Sequence, residues 1–62
     1  MRFKTGDKIY QRWPDSPGYR RGQISDTVVH LQEYFIVWSH DPRWYRYHAE
    51  AMDKVLELED WL

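Results

Sequence analysis

The chain has 62 residues, nine Lys and Arg against ten Asp and Glu, no cysteine, and 18% aromatic residues. A length of this order makes one small domain that buries only about 60% of its unfolded surface, so the fold is marginal without a staple or a partner. The missing cysteine excludes a disulfide framework, thiolate zinc sites and cysteine nucleophiles, and 42% hydrophobic residues are too many for a disordered tail. No apolar run approaches the roughly 18 residues of a membrane span, and Met1 to Asp7 has no signal-peptide apolar region. The chain therefore reads as cytoplasmic, one domain over residues 1–62, with no membrane partner. Charge is uneven: Met1 to His48 carries eight basic residues and five acids, whereas Ala49 to Leu62 sets Lys54 against five acids. This gives a basic side and an acidic end, short of the strongly basic balance of a dedicated nucleic-acid binder.

Gly6-Asp7 is a turn signal, and Asp7 to Trp13 reads as a first strand with Ile9 on one face and Lys8 and Tyr10 on the other. Two prolines and a glycine in Trp13 to Gly18 make an ordered loop. A second strand is expected from Tyr19 to Val29, where Gly22 marks a bulge or a close backbone approach. After a turn within His30 to Gln32, Glu33-Tyr34-Phe35-Ile36-Val37-Trp38 is apolar on both faces, as in a central strand. Ser39-His40-Asp41-Pro42 turns the chain into a short fourth strand, Arg43 to Tyr47. From His48 to Met52 helix formers dominate, then Leu56-Glu57-Leu58-Glu59 alternates strictly. One helical turn followed by a fifth strand from Lys54 to Glu59 competes with a single helix to the end.

The expected fold class is mostly β: an SH3-like five-stranded small barrel with one short helical turn before the last strand. The alternative is an antiparallel β-meander with a C-terminal α-helix from about His48. Ile9, Ile24, Val28, Phe35, Val37, Met52, Val55, Leu56 and Leu58 are the expected core.

Gly6-Asp7-Lys8-Ile9-Tyr10, Gly22-Gln23-Ile24 and Tyr34-Phe35-Ile36-Val37-Trp38 resemble the skeleton of Tudor and chromo-barrel domains. The same skeleton is similar to the small docking subunit of photosystem I and to the plasmid-borne trimethoprim-resistant dihydrofolate reductase. The resemblance covers about Thr5 to Glu59 and implies a fold, since these families share no activity. In that reductase a V-Q-I-Y stretch lines the pore of a tetramer; Trp44-Tyr45-Arg46-Tyr47 stands there instead, so the resemblance does not carry the activity across. By the Tudor resemblance, an aromatic cage would draw on Trp13, Tyr19, Trp38 and Trp44.

A core of this size cannot hold all of Tyr10, Trp13, Tyr19, Tyr34, Trp38, Trp44, Tyr45 and Tyr47, so some rings must reach the surface. Exposed rings mixed with arginine are the composition of protein interfaces. Trp13, Tyr19, Trp38 and Trp44 are thus candidate anchors, and Arg20, Arg21, Arg43 and Arg46 candidate steering charges for an acidic protein or a larger assembly. The same mixture can hold single-stranded nucleic acid, and the bland alternative has the rings closing the barrel and the charges solvated, with pairs such as Arg46 and Glu50. Ser39-His40-Asp41 holds triad residue types, but sequence neighbours point apart. His30, His40 and His48 match no zinc spacing, and Gly6, Gly18 and Gly22 form no phosphate loop. No cofactor or metal is expected. A non-catalytic binding module follows, with a homo-oligomer open and an enzyme at a symmetry axis the remote alternative.

Overall fold

The alternating segments pair into one antiparallel sheet in a computed structural model, which describes residues 1–59. The strands are β1 (Lys8–Arg12), β2 (Tyr19–Val28), β3 (Glu33–Trp38), β4 (Trp44–His48) and β5 (Leu56–Leu58), with helix α1 (Ala49–Val55) before the last. The order across the sheet is β4-β3-β2-β1-β5. This is the mostly β, five-stranded arrangement expected, with a short helix before the last strand rather than a helix running on from His48. Among the described residues β4 and β5 do not pair, so the ladder stays open where a closed barrel would join them.

Each turn has a local cause. Gly6 sits at φ 95°, a left-handed conformation that costs glycine little, and the Asp7 carboxylate accepts from the Lys4 amide across it. A 3₁₀ turn (Val29–Leu31) ends at Gln32, φ 54°. β2 carries a bulge between Ile24 and Asp26, where the Ser25 hydroxyl donates to the Phe35 carbonyl. The expected close approach lies at Gly22: a Cβ there would stand 2.8 Å from Trp38 Cε3 and 3.0 Å from the Val37 carbonyl oxygen.

Side chains directly opposed in the ladder share a face, which fixes the inside. Ile9, Ile24, Tyr34, Ile36, Trp38 and Leu56 are buried in one cluster with Phe3 and Ala49, and Tyr45, Tyr47 and Met52 pack against it. Three of the expected core residues, Ile9, Ile24 and Leu56, belong to it. Phe35 and Val37 are half-buried on the opposite face, and Val55 and Leu58 are exposed. The correction in β3 is one of phase. A strand apolar on both sides gives no alternation to choose its inner face, and the register with Gly22 selects Tyr34, Ile36 and Trp38.

The N-terminus is strapped over α1. The Arg2 amide donates to the Asp53 carboxylate, and its guanidinium donates to the carbonyls of Asp53 and Leu56 at the helix C-terminus. The buried Tyr34 hydroxyl accepts from the Phe3 amide at 3.1 Å and donates to Asp53 Oδ1 at 2.5 Å. Burial first, then the hydrogen bond to the Asp53 carboxylate, pushes the Tyr34 phenol up to about 12.

Two predictions follow from this packing. Gly22→Ala must displace the Trp38 indole or strand β3, and is expected to cost about 1 to 3 kcal/mol in urea unfolding. The stability held by the neutral Tyr34 phenol is complete below its unfolded value near 10 and is lost as pH rises to about 12. Tyr34→Phe is therefore expected to be less stable at neutral pH, and its denaturation midpoint should fall less steeply than that of the wild type between those pH values.

Candidate functional site

The six candidate residues that lie in strands divide between the two faces of the sheet, and Trp13 and Arg43 stand in the loops beside them. Arg20 opposes Gln11 and Tyr19 opposes Arg12, so Arg20 points inward with Ile9 and Gly22 while Tyr19 and Arg21 point outward. Trp38 opposes Gly22 on the inside, and Trp44 opposes Val37 on the outside. The rings named for a cage therefore do not converge. This corrects the expectation, and alternation is the reason: loops that lie close in the fold can still aim their rings at opposite faces.

At the open inner end, the Arg20 guanidinium lies 3.6 Å from the centroid of the Trp38 ring and 5.2 Å from that of Trp13. Its Nε and Nη2 both donate to Gln11 Oε1, at 3.0 and 2.8 Å. The Trp38 indole N–H donates to the Tyr47 hydroxyl at 2.9 Å. Two indoles thus hold a cation, and that cation is the chain's own. Trp38 is only 2% exposed, buried beneath it, whereas Trp13 keeps 42% of its surface. Trp38 and Arg20 together seal this end of the core, and Trp38 offers almost no surface of its own.

The outer face presents two ring clusters. At one end the Tyr19 ring meets Tyr10 edge-on, centroids 5.8 Å apart, with the guanidinium of Arg12 over Tyr10 and that of Arg21 over Tyr19. Tyr10, Arg12, Pro17 and Tyr19 line a depression of about 170 Å³. At the other end Trp44 leans on Phe35, centroids 5.0 Å apart, beside Val37. Tyr19 is 51% and Trp44 62% exposed. Between the clusters runs an open groove lined by Lys8, Arg21, Gln23, Val37, Ser39 and Glu59.

The arginines are engaged locally. Arg21 pairs with Glu59, Arg46 stands 3.7 Å from Glu33, and Arg43 binds Asp41 through Nε and Nη2. The Arg46 partner is thus Glu33 across the strand, not the Glu50 expected from sequence spacing. Asp41 also accepts from the Tyr45 hydroxyl at 2.6 Å. The Arg43 guanidinium, and after it the Tyr45 hydroxyl, holds the Asp41 carboxyl well below the usual carboxylate range. The same contact pushes the Tyr45 phenol up. Asp41, the acid of the Ser39-His40-Asp41 run, is therefore spent on fixing the β3–β4 turn. No group of three His, Asp or Glu able to hold a metal ion occurs among the described residues. No described helix is long and apolar enough to cross a membrane.

Sequence reasoning missed Tyr10, which lies beneath Tyr19, and the pairing of Phe35 with Trp44. The signal for both was the ladder register, which places Tyr10 beside Arg21 and Phe35 beside Arg46.

Arg20→Lys is expected to lower stability by about 1 kcal/mol, because an ammonium cannot stack between two indoles while bonding Gln11 through a fork. Urea unfolding measures the loss, and Trp13 emission should shift red as its cover goes.

The chain matches no family model, no curated protein and no solved structure.

Proposed function

We propose that the chain is a non-catalytic binding module of SH3-like architecture that docks a protein partner on the outer face of its sheet. The strand order, with a short helix before the last strand, supports the architecture. The observation that carries the function is the placement of Tyr19 and Trp44 on one face, each half or more exposed and each braced by a second ring. Large rings already held by neighbours lose little conformational entropy on binding, which is the property of interface anchors. Arg21 and Arg46 lie on the same face, and the exposed half of each guanidinium can meet the carboxylates of an acidic partner while keeping Glu59 and Glu33.

Single-stranded nucleic acid is the weaker reading. Phosphate binding draws its affinity from a surplus of cations that displace counterions from the nucleic acid, whereas this chain carries nine Lys and Arg against ten Asp and Glu.

Capture from nuclease-treated lysate tests the assignment. The Tyr19→Ala/Trp44→Ala variant is expected to lose the proteins that the wild type retains, while Trp13→Ala, altered only at the inner end, keeps them. Recovery of the same proteins by the double variant, or loss of all capture after nuclease treatment, would overturn the reading.

A further inference from the structure

Among the described residues β4 is an edge of the sheet, paired only with β3. The phase of that pairing is fixed at its end: Gln32 stands opposite Ala49, and the Ala49 amide donates to the Gln32 carbonyl at 2.7 Å. Bonded and non-bonded pairs alternate in an antiparallel ladder. Tyr47 and Tyr45 therefore bond to β3, and Trp44, Arg46 and His48 turn their backbone N–H and C=O groups away from it. Their side chains lie on the outer face. An exposed row of such groups is a template for another strand.

We propose that this edge is filled by the β4 strand of a second copy, antiparallel across a two-fold axis at Tyr45. Outward-facing groups can meet only if even-numbered residues oppose even-numbered ones. Two such registers use most of β4. Centring on Arg46 sets its guanidinium against that of the second copy, like charges directly opposed. Centring on Tyr45 sets Trp44 against Arg46 of the second copy twice over, an aromatic ring facing a cation in each case. The two Trp44 rings then lie diagonal to each other across the axis, each still backed by its own Phe35. The edge is thus complementary to itself in backbone phase, ring and charge. The arginine that would otherwise guard it falls opposite an indole. A chain this short also gains most from extending its core through a partner. The inference shares Trp44 and Arg46 with the binding-module reading but does not depend on it: its test reads self-association of the chain alone, and the Tyr19 cluster stays open.

Sedimentation equilibrium from about 1 µM to about 1 mM, the range of a modest interface, tests it. The wild type is expected to pass from 7.7 kDa to twice that mass. Arg46→Pro removes an N–H that β3 does not use, so this variant should keep its fold by circular dichroism and stay at 7.7 kDa throughout. If it fails to fold, Trp44→Lys, which opposes two cations across the axis, should give a folded monomer. A wild type that remains monomeric to the highest concentration overturns the proposal, whether or not its β4 edge takes up an acidic extended peptide instead. A folded Arg46→Pro or Trp44→Lys variant that still dimerises overturns it as well.

Discussion

The Trp38 indole is the contact on which the rest of the structure depends. It closes on the bare backbone of Gly22 beneath, carries the Arg20 guanidinium above and bonds Tyr47 through its N–H. One side chain at the end of β3 thereby joins β2 to β4 and seals the end of the core that the open ladder leaves unclosed. A small domain has few large side chains to spend on its interior, so losing such a contact removes a large share of its cohesion. Glycine at position 22 is what makes the approach possible.

The opposite end is closed differently. There the sheet edges β4 and β5 are spanned by α1, and the helix is held by Arg2, Asp53 and Tyr34 rather than by strand pairing. Arg2 satisfies carbonyls at the helix C-terminus, where a cation is also favoured by the dipole. The Tyr34 hydroxyl joins the N-terminal segment to the helix from beneath. The aromatic plug and the polar strap solve the same problem, that of a sheet whose edge strands β4 and β5 do not pair among the described residues.

Much of this arrangement is legible in the residues. The span of β3 follows from its run of aromatic and β-branched side chains, and the loop after β1 from Pro14 and Pro17. The helix before β5 follows from the change of period after His48. The inner face of β3 is not legible, because Tyr34, Phe35, Ile36, Val37 and Trp38 leave nothing polar to point outward. It takes a partner strand, and Gly22 in particular, to choose. Arg20 is hidden for a related reason. An arginine in a strand reads as surface charge, and only the pair of indoles around it makes it part of the interior.

The division of the candidate residues has a consequence for recognition. The inner rings already hold a cation fixed by Gln11, so admitting an external one would mean expelling Arg20 into water and unroofing Trp38. The outer rings carry no such debt. Tyr19 and Trp44 are supported from behind by Tyr10 and Phe35 and are open in front. Their neighbouring arginines are half or more exposed, whereas Glu59 and Glu33, the carboxylates they pair with, keep only 13% and 15% of their surface, so a partner's carboxylate adds to these pairs rather than replacing them. A partner that covers this face therefore desolvates rings without dismantling the fold, whereas one that engages Trp13 and Trp38 must oppose the interaction that holds the sheet together.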